Sequence, residues 1–401
     1  MDNSSKNYLI TLSVIFLLAF IVNNPVLISG LNTYNVVTLG ARPDGVTDTS
    51  KVFINAWNQA CNTIGPSTIL VPKGRYLIRY PIKFDGSNCK SVDINFNIMG
   101  TLIAPTDYRV LGNSDIWLSF ESVTGVSITG GTLDGKGAGL WNCKLSNMGN
   151  CPRGATTMAF TNSNNVQIKG LKSINSQLYH IVFNGCNNVK VESASILASG
   201  NSPNTDGFHV QYSNNVAIIN SNISTGDDCV SVGPATVGLL IQDVLCGPGH
   251  GISIGSLGKD LNEPGVQNVT VKDVTFTNTQ NGLRIKSWGR PSNGFVKDVT
   301  FQHCNMVNVQ NPIIIDQNYC PHNLGCPGKA SGVQISDVIY QDIHGTSSTE
   351  VAVKFDCSPI NPCENLKLED VKLTYNNEEA MSLCVHAVGS SNGTVVPQSC
   401  L

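Results

Sequence analysis

Four short motifs rich in polar residues lie between residues 204 and 286, and their spacing is regular. Asp206 and Asp228 are 22 residues apart, and another 22 residues lead to His250. In a chain that coils with about that period, residues one period apart lie above one another on one wall of the molecule. The motifs are Asn204-Thr205-Asp206, Gly226-Asp227-Asp228, Gly249-His250-Gly251 and Arg284-Ile285-Lys286.

The acidic residues of these motifs could perform acid–base chemistry if the coil brings them together. Three carboxylates one turn apart repel each other, so one of them holds its proton near neutral pH beside two that are ionised. A general acid beside ionised carboxylates is what cleavage of a glycosidic bond requires. Arg284 and Lys286 would place two cations on the same wall, which suits the carboxylate of an acidic sugar.

Each motif taken singly has a more ordinary explanation. An Asp-Asp pair is more often a loop or a calcium ligand, and a histidine between glycines usually belongs to a turn. A basic–Ile–basic segment on a strand is most often a solvated face. Only the combination of these motifs at matched spacing favours a functional site.

Alternation along a strand makes a second, independent prediction. In residues 204–206 and 284–286 the outer side chains should point outward and the middle side chain inward. The adjacent Asp227 and Asp228 would face opposite sides unless the backbone bends between them. Gly226 would ease such a bend.

Two further features concern the connections between the motifs. The 34 residues from His250 to Arg284 fit one more turn if an insertion such as residues 259–265 forms a loop. Cys229 follows the acidic pair and Cys246 precedes the histidine motif, so a disulfide between them would clamp these loops together.

The rest of the chain favours such a coil, because one phrase of asparagine and alternating apolar and polar residues recurs along it. Its valines Val166, Val189 and Val216 are 23 and 27 residues apart. Alternation gives short half-buried strands, and one such phrase repeated every 22–30 residues, roughly, indicates a solenoid. A β-sandwich would show hairpin turns every 8–12 residues, approximately, and these are scarce. The phrase occurs at residues 126–128, 165–168, 188–191, 215–218, 269–274, 333–338 and 366–371.

We therefore predict an all-β fold, a single-stranded right-handed parallel β-helix, in which equivalent asparagines stack as a ladder that satisfies buried amide groups. One helix, capped by Thr47 or Asp48, is predicted downstream of the N-terminal segment. We expect it to cover the open N-terminal end of the coil, since exposed strand edges invite aggregation. Its apolar face consists of Val52, Phe53, Ala56, Trp57 and Ala60.

Composition and the N-terminal segment restrict the class of protein. Charged residues make up 13% of the chain and the net charge is −3, which excludes a broadly basic nucleic-acid-coating protein. Lys6 precedes an uncharged run over residues 8–22, which is typical of a secretory signal cleaved between residues 24 and 33. Residues 1–30 are thus predicted to be a signal peptide and residues 31–401 a single catalytic domain. A signal anchor would need a longer apolar run.

The 14 cysteines all follow this segment, and an even number in an oxidising compartment predicts several disulfides. No CxxC pattern or paired histidine spacing supports a zinc site, so no metal is expected. Three sequons, starting at residues 222, 268 and 392, are possible glycosylation acceptors. The close cysteine pairs are Cys143/Cys151, Cys320/Cys326, Cys357/Cys363 and Cys384/Cys400.

With all four motifs in place, the sequence resembles the polygalacturonases, the pectin hydrolases of glycoside hydrolase family 28. The resemblance runs from about Tyr34 to Cys400 and includes the opening segment over residues 40–48. The segment over residues 246–258 looks plant-like, and the chain is most similar to the pollen-type exopolygalacturonases. The resemblance implies a right-handed parallel β-helix and hydrolysis with inversion at the anomeric carbon.

The family motifs imply a role for each site residue. Asp227 would be the general acid, Asp206 and Asp228 would share the activation of water, and His250 would orient the acid. Inversion requires acid and base carboxyls about 6.5–9.5 Å apart, with a water molecule between them. The residues that the resemblance places on the substrate are Arg284, Lys286, Asn204, Tyr319 and Gly251.

Several alternatives remain open from the sequence. A calcium-dependent pectate lyase on the same fold could use Asp206, Asp227 and Asp228 as a metal site, and a non-catalytic wall protein could grip pectin through its cations. Endo or exo attack depends on whether loops such as 259–265 or 136–153 close one end of the cleft, and the pollen-like character favours exo. The expectations are a secreted, extracellular cell-wall monomer that acts on pectin or polygalacturonate. It would use no cofactor or nucleic acid, and would have no membrane contact after signal removal.

Overall fold

Short parallel strands separated by turns follow one another through the computed structural model, which describes residues 32–146 and 149–401. The predicted signal peptide lies outside the described residues. Within them are two α-helices, α1 (Ser50–Asn62) and α2 (Ala138–Leu145), two 3-10 turns (Tyr108–Val110 and Pro321–Asn323) and 31 strands.

The strands are numbered in chain order. They are β1 (Asn32–Asn35), β2 (Asp44–Asp48), β3 (Ser67–Val71), β4 (Arg75–Leu77), β5 (Ile82–Asp85), β6 (Ile94–Ile98), β7 (Thr101–Ile103), β8 (Ile116–Glu121), β9 (Val126–Thr129), β10 (Thr132–Asp134), β11 (Thr156–Thr161), β12 (Asn164–Lys169), β13 (Lys172–Ile174), β14 (Ile181–Asn184), β15 (Asn187–Glu192), β16 (Ser195–Leu197), β17 (Phe208–Gln211), β18 (Asn214–Ser224), β19 (Val230–Val232), β20 (Val237–Cys246), β21 (Ile252–Leu257), β22 (Val266–Thr277), β23 (Asn281–Trp288), β24 (Phe295–Val309), β25 (Asn311–Tyr319), β26 (Gln334–Ser347), β27 (Val351–Asp356), β28 (Cys363–Tyr375), β29 (Glu378–Glu379), β30 (Met381–Val385) and β31 (Ala387–Val396).

These strands form one sheet of 20 strands and one of 11. In the smaller sheet, called the cleft sheet below, each turn of the coil adds one strand parallel to the one before. In the larger sheet, called the outer sheet, pairing is also parallel, with an antiparallel contact between β28 and β29. The predicted all-β parallel β-helix is confirmed. The strands of the cleft sheet follow the order β5, β8, β11, β14, β17, β19, β21, β23, β25, β27, β30.

The core is built by the repeated phrase, whose valines stack between adjacent turns. Val166 pairs with Val189 and Val189 with Val216, and all three are buried. Alternation places these side chains inside and their polar neighbours outside, so each turn buries its own stripe of apolar surface. The series continues through Leu239, Val269, Val299, Val338 and Leu366.

The predicted register was wrong at one repeat. Val338, and not Val333, pairs with Val299, so the repeat equivalent to residues 269–274 is residues 338–343. The segments that begin at Val333 and at Val338 both alternate, and local pattern alone does not distinguish them. Pairing with the neighbouring turn decides the register. The same pairing reveals a repeat at residues 299–304 that was not predicted from the sequence.

The predicted asparagine ladder exists, but it lies on the surface and not in the core. The Asn188 side chain donates to Asn165 at 3.1 Å, and Asn215 donates to Asn188 at 2.7 Å. All three are exposed and have φ between 53° and 56°. Asparagine tolerates this left-handed conformation better than most residues, so the ladder marks a tight turn at the start of each strand.

Helix α1 covers the N-terminal end of the core, as predicted. Phe53 and Trp57 are buried, and the indole of Trp57 lies 5.5 Å from the ring of Phe84. The helix begins later than expected, with Thr49 at the N-cap and Asp48 accepting hydrogen bonds from the backbone and hydroxyl of Ser50.

Helix α2 is a second helix that the sequence analysis did not expect. Its buried side chains are Leu140, Trp141 and Cys143, and the Trp141 indole donates to the carbonyl of Ser176. Eight residues, of which three are buried, are too few for a periodicity argument. A disulfide from Cys143 to Cys151 holds its C-terminal end.

All five disulfides predicted from spacing are present, including Cys229–Cys246. A sixth, Cys61–Cys89, was not predicted because its partners are 28 residues apart. Cys186 and Cys304 are buried and unpaired. Among the described residues, we find no helix with the length and apolar character needed to cross a bilayer.

Candidate functional site

Three of the four motifs lie immediately before consecutive strands of the cleft sheet. Asp206, Asp228 and His250 stand two positions before the first paired residues of β17, β19 and β21. The 22-residue spacing therefore equals one full turn of the coil, and the predicted stacking of these positions is present.

The fourth motif lies within the next strand, β23, but at a different level. Arg284 pairs with Ser253, three positions beyond the level of His250. The expected insertion at residues 259–265 lies between β21 and β22 and accounts for the longer step. As alternation predicts, Ile285 is buried in the core and its neighbours point outward.

The acidic pair lies in the bend that precedes β19, and Gly226 is needed there for space. A Cβ on Gly226 would lie 2.1 Å from the carbonyl oxygen of Ser202. Asp227 accepts a hydrogen bond from the backbone of Asp228 at 2.8 Å, which turns the two side chains apart while both still line one cavity.

Asp227 is held at the cleft surface by two neighbours from other turns. Nδ1 of His250 lies 3.1 Å from Oδ1 of Asp227, and the Asn204 amide donates to Oδ2 at 3.4 Å. The Asp227 side chain is 19% exposed, so it can reach a molecule in the cleft. The predicted contact between histidine and acid is therefore present in the structure.

Asp228 lies deeper and is ion-paired on both oxygens. Arg284 donates to Oδ1 at 2.8 Å and Lys286 to Oδ2 at 2.9 Å, while the hydroxyl of Ser253 also donates to Oδ1. Burial opposes ionisation, but Lys286 and Arg284 outweigh it and lower the pKa of Asp228 to about 2. Asp228 is thus ionised near neutral pH and holds both cations of the site.

Asp206 has the opposite environment. It is buried and carries no ion pair, and Ser231, which lines the same cavity, favours its ionised form. Burial, with the charges of Asp227 and Asp228, raises the pKa of Asp206 well above its ordinary value. The sequence analysis expected one carboxyl to be pushed to hold a proton, and Asp206 is a carboxyl in that position.

The three carboxylates line a cavity of about 460 Å³ on the cleft sheet, together with Asn204, Lys286 and Tyr319. The ammonium of Lys286 lies 5.2 Å from the ring centroid of Tyr319, within cation–π distance. Of the predicted substrate-binding residues, the structure thus brings Asn204, Lys286 and Tyr319 to the cavity. It places Arg284 beneath them against Asp228.

Gly251 is buried and does not line this cavity. Its carbonyl accepts a hydrogen bond from Cys229, and its φ is 84°. A Cβ there would lie 2.0 Å from the carbonyl oxygen of Asn281. Gly251 therefore allows two turns to approach each other beneath His250.

Four polar residues of the site were missed from the sequence. Their side chains lie on strands of the cleft sheet or directly before them. Three of them stand three positions after Asp206, Asp228 and His250, an odd offset that alternation does not place on the same face, so the repetition of this offset was the sequence signal for them. The missed residues are Tyr179, His209, Ser231 and Ser253.

The Cys229–Cys246 disulfide joins the turn after the acidic pair to the strand before the histidine motif. We expect the double variant Cys229→Ser/Cys246→Ser to lose about 3 kcal/mol of unfolding free energy, because the 17-residue loop is no longer closed in the unfolded chain. Turnover should fall as well, because the loops are no longer clamped. Chemical denaturation and initial rates measure the two effects.

The matched control removes Cys384–Cys400, which closes a 16-residue loop in the C-terminal region. It should cost similar stability and leave turnover per folded molecule unchanged. Equal losses of turnover in both double variants would show that the Cys229–Cys246 bridge has no special relation to the site.

Asp227, Asp228 and His250 also form the one group of described residues whose donor atoms, all within 4.8 Å of each other, could hold a metal ion. Both oxygens of Asp228 already accept hydrogen bonds from cations, so an ion would have to displace Arg284 and Lys286. The donor set therefore fits a network of charged side chains better than a metal centre.

Comparison with known proteins identifies relatives of the whole fold. Residues 61–394 match the family described as Glycosyl hydrolases family 28. A polygalacturonase of Prunus persica is 58% identical over 99% of this chain and 100% of that protein. An exopolygalacturonase of Platanus acerifolia is 40% identical over 91% of this chain and 97% of that protein.

Among solved structures, an endo-xylogalacturonan hydrolase from Aspergillus tubingensis superimposes with a TM-score of 0.80. The match covers 91% of this chain and 99% of that one, at 22% sequence identity. At that identity the likeness supports the fold alone, and it agrees with the parallel β-helix described above.

Proposed function

The chain belongs to glycosyl hydrolases family 28, and on this basis we propose that it is a polygalacturonase. It hydrolyses the α-1,4 galacturonosyl linkages of pectin or homogalacturonan. The two plant relatives described above, named polygalacturonase and exopolygalacturonase, support this activity across nearly the whole chain.

The observation that carries the proposal is the contrast between two buried carboxyls in one cleft. Burial and like charge raise the pKa of Asp206, while two cations lower the pKa of Asp228. General acid–base catalysis commonly uses two carboxyl groups whose environments shift their pKa values in opposite directions. Asp227 lines the same cavity, and its side chain is 19% exposed.

In the proposed mechanism Asp227 donates its proton to the glycosidic oxygen, and Asp206 and Asp228 share the activation of the attacking water. Asp206 acts in its ionised form, which its raised pKa confines to higher pH. Water attacks the face opposite the leaving group, which inverts the anomeric carbon. His250 holds the acid in position through its Nδ1 contact.

Recognition of an acidic sugar is assigned to Lys286, Arg284 and Tyr319. The ammonium of Lys286 lines the cavity, and a substrate carboxylate would share it with Asp228. Tyr319 packs edge-on against Trp288, which fixes its ring at the cavity wall. Asn204, which contacts Asp227, would bind nearby.

We expect polygalacturonate to give new reducing ends without an unsaturated uronide. Hydrolysis adds water across the bond, whereas a lyase eliminates and leaves a double bond that absorbs in the ultraviolet. Reducing-sugar release, ultraviolet absorbance and addition of a chelator measure this together. Chelator-sensitive growth of ultraviolet absorbance would replace the hydrolase by a calcium-dependent lyase.

Exo attack is the proposed mode, on the sequence likeness to pollen-type exopolygalacturonases. The Platanus relative named exopolygalacturonase supports it. An exo enzyme releases galacturonate from a long polygalacturonate chain as its only small product. A ladder of oligomers at early times would assign endo attack instead.

We also propose that the protein is secreted to the cell wall. The predicted signal peptide supports it, and so do six disulfides among the described cysteines, which suit an oxidising compartment. Pectin is the proposed partner, and the protein is expected to act as a monomer.

A further inference from the structure

A column of four outward-pointing side chains crosses the floor of the cleft, one from each of four consecutive turns. Register pairs His209 of β17 with Ser231 of β19, Ser231 with Ser253 of β21, and Ser253 with Arg284 of β23. Side-chain hydrogen bonds join His209 to Ser231 at one end of the column and Arg284 to Ser253 at the other.

Ser231 and Ser253 contact different carboxylates, and the hydroxyl of each is held by a different second residue. Ser253 donates to Asp228 and itself accepts from Nε of Arg284 at 2.8 Å. Its support is therefore a permanent cation, and its hydrogen bond to Asp228 has a fixed direction.

Ser231 contacts Asp206 and is supported by an imidazole. Nδ1 of His209 lies 2.7 Å from its hydroxyl oxygen. Ser231 lines the cavity together with Asp206, and there it favours the ionised form of that carboxyl. A neutral imidazole has one nitrogen that donates and one that accepts. The direction of this chain can therefore reverse, unlike the direction of the Arg284–Ser253 chain.

The surroundings of His209 suit a neutral ring held in one place. The Tyr179 ring stacks on it at 5.3 Å and 15°, and Gln211 also hydrogen-bonds it. Burial lowers the pKa of His209, an effect increased by the charge of Lys286 and opposed by Gln211 and the charge of Asp228. The Gln211 amide can donate or accept, so it can serve either tautomer.

We propose that His209 and Ser231 are positioning residues whose hydrogen bonds reverse direction with the protonation state of Asp206. When Asp206 is ionised, Nδ1–H of His209 donates to Ser231 and Ser231 donates to the carboxylate. When Asp206 is protonated, its O–H donates to Ser231 and Ser231 donates to an unprotonated Nδ1. Neither state then leaves a buried donor without a partner.

This inference rests on the proposed function, in which Asp206 gains and loses a proton during turnover. The proton that Asp206 takes from the attacking water must leave before the next cycle. Ser231 favours ionised Asp206 and can still accept from the protonated form, which lowers the cost of alternating between them, whereas the cations at Asp228 stabilise one form only.

The first test is independent of activity. Histidine labelled with ¹⁵N reports the tautomer of His209 by NMR, and we expect it to change from Nδ1–H to Nε2–H as falling pH protonates Asp206. In Asp206→Asn, which has no carboxyl to titrate, one tautomer should persist. A wild-type tautomer that stays the same through the titration of Asp206 overturns the proposal.

The second test uses the pH profile of polygalacturonate hydrolysis. The Ser231 hydrogen bond favours ionised Asp206, so Ser231→Ala should raise the pKa of that carboxyl further. Because water activation needs ionised Asp206, the acidic limb of kcat should move to higher pH by about one unit, with a smaller change in KM. An acidic limb that coincides with the wild type overturns the proposal.

Two histidine variants separate hydrogen bonding from packing. His209→Phe keeps a ring stacked on Tyr179 and should shift the acidic limb of kcat as Ser231→Ala does. His209→Asn can still donate or accept a hydrogen bond, so its pH profile should stay close to that of the wild type. The control is Ser173→Ala, which removes another buried serine–histidine contact, the 2.8 Å bond to Nδ1 of His180. Its pH profile should match the wild type.

Failure of the proposed function and failure of this inference give different experimental results. If the wild type releases no reducing ends from polygalacturonate, the proposed function is wrong, and the tautomer measurement still decides the role of His209. A shift of equal size in Ser173→Ala would show that the limb reports general loosening of the fold, and would count against the proposal.

Discussion

The Asp227→Asn variant is expected to bind polygalacturonate as the wild type does, while its turnover falls by about 10²–10⁴-fold. The amide is nearly the same size as the carboxyl and can accept from the backbone of Asp228, so the local fold should persist. It has no acidic proton to give to the glycosidic oxygen. Pull-down on polygalacturonate and initial rates of reducing-end release measure binding and turnover separately.

The control is Asp243→Asn on the outer sheet. Asp243 is exposed and has φ of 54°, a conformation that asparagine adopts as readily, and the change creates no glycosylation sequon, so this variant should keep full activity. Unchanged reducing-end release from Asp227→Asn would be decisive against the catalytic assignment. Retained binding with lost turnover would also remove the alternative of a non-catalytic pectin-binding protein, whose wild type has no turnover to lose.

Much of this site could be predicted because a solenoid converts sequence distance into position. The 22-residue steps from Asp206 to Asp228 and on to His250 equal one turn, so counting residues was enough to stack them. Counting was less informative at Arg284, where the inserted loop made the step longer and hid the partnership with Ser253.

The electrostatic roles could not be read from the motifs. Arg284 and Lys286 are predicted from the sequence to bind the substrate. The structure shows that both also form ion pairs with Asp228 in the free protein. This pairing joins residues 56 and 58 positions apart, and it depends on side-chain reach across two turns. Which carboxyl carries a raised pKa follows from that pairing, since Asp206 receives no cation.

The missed elements have a common physical reason. Helix α2 and the repeat at residues 338–343 are determined by what packs against them, and their local patterns fit more than one assignment. His209 was missed for another reason: it belongs to no motif of its own, and its role comes from the side chains on the adjacent turn.

The Lys286→Met variant should therefore lose stability as well as activity. Removing the ammonium leaves one oxygen of a 2% exposed carboxylate without its cation while Arg284 still holds the other oxygen, so we expect a loss of about 3 kcal/mol of unfolding free energy, the lower end for a broken buried ion pair. The substrate carboxylate also loses a partner, so kcat/KM should fall by about 10²–10³-fold.

Lys367→Met, at an exposed position of the outer sheet, is the control and should change neither stability nor kcat/KM. The double variant Asp228→Asn/Lys286→Met tests the pairing, because it removes the buried carboxylate charge together with one of its two cations and leaves Arg284 an uncharged amide as its partner. Its stability by chemical denaturation should recover part of the loss while its activity stays low. If Lys286→Met alone unfolds at the wild-type denaturant concentration, the Lys286–Asp228 ion pair contributes no stability, and Arg284 alone is enough to hold the Asp228 carboxylate.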